Sequence, residues 1–461
     1  MTRLKGFDLL ALGFMTFALF LGAGNIIFPP SAGMEAGHNI GLASLGFLIT
    51  AVGLPLATVV ALARVGGGMP ALTSPLGKAA GLALAVAVYL TIGPLFATPR
   101  TAVVSFEIGL VPFVGKEPLY LFLYTLVYFA AVLALVLVPG RLIDNVGKLI
   151  TPVLLIALAV LGGSALLLPQ GNIGAASGEY VNEPLLAGFI AGYQTMDALG
   201  ALVFGIVIAT AIRSRGISEA SLITRYSVIA ALIAALCLGL VYISLFYLGA
   251  SSQELAAGAT NGGQILTRYV HNAFGPWGNF LLGLVIVLAC MTTAVGLIAA
   301  CGEFFSDLLG WSYRLLVCLF AGGSLLVANV GLEQLIRFSI PVLVGLYPLA
   351  IALVAVSLAD RLWVSTRRVM VPVMAVTLIF AVADGLRAAG IADAHHWLLG
   401  QTEQGGGLHG LLSGLGNGLD WLYTSMPFAS AGLAWLVPAL VVLVLAVIYD
   451  RLAGPPSEVV A

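Results

Sequence analysis

Long apolar runs dominate this chain, separated by short polar connections, and nowhere do apolar and polar residues alternate strictly at period two. A helix needs ~20 apolar residues to cross the hydrocarbon core of a bilayer, whereas a membrane barrel needs that alternation. The pattern therefore predicts an all-α integral membrane protein. Measured against that ruler, spans fall near 8–36, 40–65, 79–111, 118–138, 146–168, 184–212, 222–249, 276–306, 311–329, 335–358, 369–387 and 427–449, about twelve helices in all.

Two of these spans carry residues that a membrane helix should avoid. The first reads LFLGAGNIIFPPSAG from Leu19 to Gly33, with Gly22, Gly24, Asn25, Pro29 and Pro30, all poor helix formers. The sixth reads PLLAGFIAGYQTMDALGALVFGIVIATAI, with Gly192, Tyr193, Gln194, Thr195, Asp197 and Gly200 well inside it. An ionised Asp at mid-bilayer costs ~2.5–3.5 kcal/mol on insertion scales, so Asp197 should face a partner or a wet cavity.

Broken backbone at membrane depth survives only inside the protein or along a cavity. There the amides at the start of a half-helix suit an anion, and the carbonyls at the end of one suit a cation. An amino acid zwitterion offers both charges at one carbon. A structural Gly/Pro kink explains either break alone, but two at matching positions, each with polar side chains, point to a binding site. They divide the chain into a 5+5 inverted repeat, 8–168 and 184–358, with helices 1 and 6 discontinuous and two additional C-terminal helices over 369–449.

Composition agrees: 61% of residues are hydrophobic and 8% charged, against about 25% charged in a soluble domain, and the mean hydropathy is +1.09. The net charge of −1 and the lack of any basic run give no reason to expect nucleic acid as a partner. Lys and Arg set the orientation. With the N-terminus in the cytoplasm, Arg3, Lys5, Arg64, Lys78, Arg141, Lys148, Arg213, Arg215, Arg225, Arg314, Arg361, Arg367, Arg368 and Arg451 fall inside. Only Lys116, Arg268, Arg337 and Arg387 fall outside, and Arg100 lies within a span. Arg3 and Lys5 ahead of an apolar run mimic a signal peptide, yet the run continues into prolines and reads as a retained first helix.

An intramembrane enzyme would need a metal set or a nucleophile with its base. His38, His271, His395, His396 and His409 fall in outer connections or at span ends, none paired at i, i+4, and no G-x-S-x-G occurs. Cys237, Cys290, Cys301 and Cys318 lie in apolar stretches without metal-type spacing and read as buried small hydrophobes. A channel would want symmetric filter loops or rings of charge, which one long pseudo-symmetric chain does not supply.

Two longer outer connections remain. Residues 250–275 have helical patches and suit either a lid or an ordinary connection, and 388–426 are rich in Gly and polar residues. Arg100 and Glu107 stand seven apart on the third span, on one helix face, as a gate or as a static ion pair. Glu303 and Asp307, at the inner end of the eighth span, read as a solvated helix end or as guards of a cytoplasmic exit.

The segments LLALGFMTFALFLGAGNIIFPP and AGYQTMDALGALVFG together resemble the branched-chain amino acid–cation symporter family, as do GPLFATPRTAVVSFEIG (93–109) and TTAVGLIAACGEFFSDL (292–308). That family is of the LeuT type, in the amino acid–polyamine–cation group. The resemblance implies sodium-coupled uptake of leucine, isoleucine and valine across the bacterial cytoplasmic membrane by a multi-pass monomer with both termini inside and no cofactor beyond the coupling ion. A proton-coupled amino acid carrier of the same fold is the alternative.

LACMTTAVG (288–296) is similar to the LeuT-type stretch that binds sodium. The resemblance implies a cage from the carbonyls of Ala18, Leu21 and Ala289 and the hydroxyls of Thr292 and Thr293, all oxygen ligands as a hard cation requires. It puts the substrate carboxylate against the amides of Ala23, Gly24 and Asn25. The ammonium would meet the carbonyls of Phe20 and of Tyr193, Gln194 and Thr195, with Phe20, Ile26 and Tyr193 as side-chain walls. Asp197 either closes the amine pocket or binds a coupling cation.

Overall fold

The computed structural model describes residues 4–66, 68–137, 151–390, 425–429 and 432–454, and the regular elements among them are all helical. Eight helices among the described residues are long and apolar enough to cross a membrane, nine when a pair bent by 42° counts as one. In chain order the first four are α1 (Gly6–Phe20), α2 (Ala23–Ala36), α3 (Ile40–Leu48) and α4 (Leu54–Val65). Then follow α5 (Lys78–Leu90), α6 (Ala97–Gly109), α7 (Pro118–Val136) and α8 (Thr151–Leu167). The bent pair is α9 (Pro184–Tyr193) and α10 (Asp197–Arg213), ahead of α11 (Ala220–Ala250) and α12 (Gly262–Leu309). The last four are α13 (Tyr313–Ala328), α14 (Leu332–Leu358), α15 (Thr366–Ala388) and α16 (Leu436–Ala453).

These residues divide into two compact units: Met1–Ala71 with Ala85–Leu335, and Leu72–Leu84 with Ile336–Ala461. In the first, α1 and α2 both pack on α11, while α9 packs on α3 and α10 on α4. Glycines set how closely these helices approach. A Cβ on Gly33 would lie 2.1 Å from the Phe246 carbonyl oxygen, and one on Gly249 would lie 2.0 Å from that of Pro30. The α3–α9 contact repeats the device, with Gly46 against the Leu185 oxygen and Gly188 against that of Ala43, both at 2.0 Å. Lipid gives helices no hydrophobic reason to associate, so small residues that admit backbone-to-backbone packing carry the contact.

In the second unit α15 packs on α16 and on the short turn Ser74–Leu76. Asp450, buried near the end of α16, accepts from the amides of Val364 (2.6 Å) and Ser365 (3.1 Å), donors just ahead of α15 that no helical carbonyl serves.

Several boundaries differ from the sequence pattern for identifiable reasons. The first interruption is short: only Leu21 and Gly22 leave the helix, and Gly24, Asn25, Pro29 and Pro30 all lie within α2. The third span is not continuous, because Gly93 has non-helical backbone (ψ −114°) ahead of Pro94, and the chain makes one wide turn over Thr91–Leu95 before α6. Residues from Gly262 onward already belong to α12, which kinks at Gly275, whose φ of 68° only glycine adopts readily. The final helix begins at Leu436 rather than near 427, since Phe428 and Gly432 hold positive φ values of 64° and 69°. Residues 391–424, including His395, His396 and His409, lie outside the described residues.

Gly249→Ala forces a methyl onto the Pro30 oxygen, and overpacking of this kind costs about 1–3 kcal/mol. We expect a lower unfolding temperature for that variant in detergent. Gly239→Ala, on the same helix with open space around it, should leave the temperature unchanged or slightly higher.

Candidate binding site

The first break is made by one side chain. Leu21 still donates its amide to the Phe17 carbonyl at 2.8 Å, but the Gly22 amide turns to Asn25 Oδ1 at 3.0 Å. In an unbroken helix that amide would reach the Ala18 carbonyl. Asn25 thus starts α2 by capping it and diverts the helical partner of Ala18.

The second break spans Gln194–Met196. Thr195 Oγ1 donates to the Gly192 carbonyl (2.9 Å) and accepts from the Asp197 amide (3.3 Å), which starts α10. Met196 turns the chain with φ 63°, left-handed backbone that costs a non-glycine residue ~1–3 kcal/mol and persists only where its surroundings enforce it.

The two breaks touch. A Cβ on Gly24 would sit 3.1 Å from the Gln194 oxygen and from Cα and O of Thr195, so glycine is what lets the first turn of α2 meet the second break. Asn25 Nδ2 donates to Asp197 Oδ1 (2.9 Å) and Oδ2 (2.7 Å), and it also bonds the hydroxyl of Tyr242 on α11. Tyr242 in turn donates to Asp197 Oδ2 at 2.5 Å. All three side chains are buried. Asp197 therefore has donors from two other helices, as a carboxylate in a low-dielectric interior requires.

On the other side of the first break, α12 brings Thr293. Its Oγ1 donates to the Leu21 carbonyl (3.2 Å) and that of Ala289 (3.3 Å), and Thr292 Oγ1 donates to Ala289 at 2.8 Å. A Cβ on Gly22 would lie 3.2 Å from Thr293 Cγ2. Leu21, Ala289, Thr292 and Thr293 thus form one oxygen-rich cluster, with Ala18 buried one turn back on α1.

Arg100 on α6 closes a third side. Its guanidinium donates to the Gln194 carbonyl at 2.7 Å and lies 5.2 Å from the centre of the Phe28 ring, a cation–π arrangement. Glu107 pairs with Lys116 at 2.8 Å, a closer partner than the ion-pair reading of Arg100 and Glu107 allowed for. Seven residues of helix separate them by ~10 Å, and each finds a nearer partner. Glu303 and Asp307 are both exposed, as at a solvated helix end.

Between these groups lies a narrow cavity of about 40 Å³. Of the expected site residues, Phe20, Ala23, Gly24, Asn25, Thr195 and Asp197 line it, together with Arg100 and Thr293. Ile26, Tyr193 and Gln194 do not: Ile26 and Tyr193 are fully buried, the Tyr193 ring set edge-on to Phe189 (5.6 Å, 62°). Two of the carbonyls expected to meet an ammonium already accept hydrogen bonds, Tyr193 from the Met196 amide and Gln194 from Arg100. Sequence reasoning missed Tyr242, Phe28, Met196 and Phe204, whose ring meets Phe20 edge-on at 5.9 Å. It also missed the Gly93–Pro94 kink, which sets Ile92 and Ala97 on the cavity wall.

Tyr242→Phe leaves the Asp197 carboxylate to Asn25, and a lost hydrogen bond to a charged group costs about 1.5–3 kcal/mol. We expect a marked fall in unfolding temperature. An unchanged temperature would show that the hydroxyl does not serve Asp197.

Comparison with known proteins places the chain. The family model described as "Branched-chain amino acid transport protein" matches residues 5–453. The chain is 62% identical to the branched-chain amino acid transport system 2 carrier protein of Pseudomonas aeruginosa over the whole of both chains. It is 49% identical to the branched-chain amino acid permease BrnQ of Escherichia coli over 98% of each. Among solved structures it resembles MhsT in complex with L-phenylalanine (TM-score 0.54, 17% identity, 82% of this chain and 98% of that one). It also resembles Mhp1, a nucleobase–cation symport-1 family transporter (TM-score 0.55, 16% identity, 98% and 94%). An all-helical membrane fold of LeuT type, and full-length similarity to carriers and permeases, lead to one conclusion: the chain belongs to the branched-chain amino acid transport protein family.

Proposed function

We propose that the protein imports leucine, isoleucine and valine by sodium-coupled symport, through alternating access around the cavity between the two helix breaks. The observation that carries this reading is the contact of the breaks themselves, where Gly24 and Asn25 of one lie against Thr195 and Asp197 of the other. The amides of Ala23, Gly24 and Asn25 start a half-helix and favour a carboxylate. The ammonium then turns to the Phe20 carbonyl at the end of α1 and to the Thr195 side of the cavity. Asp197, fully engaged by Asn25 and Tyr242, acts in this reading by holding the two breaks in register.

Sodium is assigned to the cluster of Leu21, Ala289, Thr292 and Thr293, with Ala18 completing it. Carbonyls and hydroxyls are the ligands a hard monovalent cation takes, and the diverted Gly22 amide leaves the Ala18 oxygen without its helical donor. Each sodium ion moved inward draws ~2.3 kcal/mol per 100 mV of membrane potential, enough to concentrate a zwitterion. The two halves, 8–168 and 184–358, are read as inverted repeats with the N-terminus inside. In support, span one packs on α11 while the sixth span packs on α3 and α4, the exchange that a two-fold axis in the membrane plane produces. Asp197, a buried carboxylate at the cavity, is what favours proton coupling as the second reading.

Leucine uptake into proteoliposomes separates the two. An inward sodium gradient without a pH gradient should drive accumulation, and uptake that ignores sodium would overturn the ion assignment. Asp197→Asn should abolish concentrative uptake while the protein stays folded, with normal transport by that variant removing Asp197 from the cycle.

A further inference from the structure

A second cavity, of about 160 Å³, runs between α4, α10 and α11 at the end where α10 stops and α11 begins. It shares no lining residue with the central cavity. On α11 the lining positions Ala220, Ile223 and Ser227 follow one helix face, so Ser227 lies ~10 Å farther along than the start of that helix. Most of the wall is apolar, with Leu62 from α4 and Ile206 and Ala209 from α10 facing Ile223. Ile206, 40% exposed, gives the groove an apolar lip.

Two groups on this wall point to a ligand. Ser227 is 3% exposed, and its hydroxyl makes no hydrogen bond among the described residues. Its neighbours in sequence return theirs to a carbonyl one turn back, Ser214 to Ala211 (3.0 Å) and Ser244 to Val241 (2.8 Å). Thr224 spends its hydroxyl on the Ala63 carbonyl (2.8 Å), which ties α11 to α4. Buried hydroxyls are almost always satisfied, so Ser227 calls for an acceptor from outside the chain. Arg213, exposed in the last turn of α10, lines the same cavity and makes neither an ion pair nor a hydrogen bond among the described residues. Glu219, close by in sequence, does not line the cavity and accepts from Ser221. The groove is therefore cationic where the helices end and apolar farther in, with a single hydroxyl donor at depth.

We propose that this groove is a binding site for one anionic phospholipid. Its phosphate lies at Arg213, an ester carbonyl of its glycerol backbone accepts from Ser227, and an acyl chain leaves past Ile223 and Ile206. A diacyl phospholipid presents its groups in the order the groove does: charge at the membrane surface, ester acceptors deeper, hydrocarbon beyond. A free anion would leave Ser227 and the apolar wall without a partner. A volume of about 160 Å³ is too small for two acyl chains, so the hydrocarbon continues over the exposed apolar residues of the outer surface. The proposal goes beyond the transport reading and rests on it only for the leaflet: with the N-terminus inside, Arg213 faces the cytoplasm.

Native mass spectrometry of the purified full chain, stripped of co-purified lipid in detergent, tests it with phosphatidylglycerol against the zwitterionic phosphatidylcholine. Wild type should retain one phosphatidylglycerol in preference to phosphatidylcholine. Arg213→Gln should weaken phosphatidylglycerol about five-fold, the effect of one basic residue at the surface, and leave phosphatidylcholine unchanged, while Arg213→Lys should keep the preference. Ser227→Ala should weaken both lipids by about two- to ten-fold, the range of one hydrogen bond. Ether-linked phosphatidylglycerol, which lacks the ester carbonyls, should bind wild type as weakly as the ester lipid binds Ser227→Ala, and should not respond to that substitution. Arg361→Gln, a change to an exposed basic residue of the other compact unit, should alter nothing. Equal retention of the two lipids by wild type, or an unchanged preference in Arg213→Gln, overturns the proposal. So does an equal loss in Arg361→Gln, which would show diffuse surface charge, or displacement of the lipid by equimolar inorganic phosphate, which would show a site for a free anion. Thermal unfolding confirms that each variant is folded, and the ether-lipid comparison on Ser227→Ala carries the test if Arg213→Gln is not.

Discussion

The hydrogen bonds joining Asn25, Asp197 and Tyr242 are the constraint on which the rest of this structure depends. A carboxylate deep in a membrane protein is tolerable only with donors fixed around it, and here those donors come from α2 and α11. The same Asn25 that feeds its amide to Asp197 uses its oxygen to capture the Gly22 amide and end α1. One side chain therefore does two things at once: it interrupts the first span and fastens the interruption to the second. Without Asp197 the Asn25 amide would face a buried space with only Tyr242 to receive it, and without Asn25 the carboxylate would lose its bidentate donor. The two breaks are mutually dependent.

Close packing then determines where the breaks can meet. Gly24 brings backbone against backbone at the centre, while Gly33, Gly249, Gly46 and Gly188 draw the supporting helices into the same kind of contact farther out. A helix pair that touches through backbone has little freedom to slide, so the half-helices are held by rigid neighbours on either side. The cavity between them is correspondingly small, about 40 Å³, and in the proposed reading admitting an aliphatic amino acid requires helices to shift relative to one another. That is the behaviour expected of a site that alternates in access rather than of an open pore.

Much of this was legible in the chain because polar and helix-breaking residues stand out against an apolar background. Gly22, Asn25 and Asp197 announce the breaks, while Thr292 and Thr293 on the eighth span stand out only through their resemblance to a LeuT-type stretch. What each polar group does was less legible. Asn25 was read through its backbone amide as a carboxylate ligand, yet its side chain makes the cap and the clamp, roles that depend on what lies across the break. Tyr242 sits in an apolar stretch with nothing in its spacing to show that its hydroxyl faces Asp197. The Gly93–Pro94 pair was visible as letters but was absorbed into a span long enough to hide a turn. Arg100 and Glu107 share a helix face, and periodicity alone does not reveal that Lys116 and Gln194 offer each of them a closer partner.

In the proposed reading, with Asp197 ionised, charge at the centre is balanced before any ligand arrives. Arg100 and Asp197 are buried on the walls of one cavity, a guanidinium held on the Gln194 carbonyl and the Phe28 ring and a carboxyl group held by Asn25 and Tyr242. A site that is neutral overall but strongly dipolar suits a zwitterion, since the ligand adds no net charge and gains from alignment, whereas a free anion or cation would leave one wall uncompensated. Phe20, Phe204, Ile92 and Leu297 supply an apolar part of the wall, beside the hydroxyls of Thr101, Thr195 and Thr293. Such a surface discriminates one methylene by only ~1–3 kcal/mol. In the proposed reading, selection for the amino acid backbone is strong and selection among aliphatic side chains weak, so one carrier accepts several branched-chain substrates.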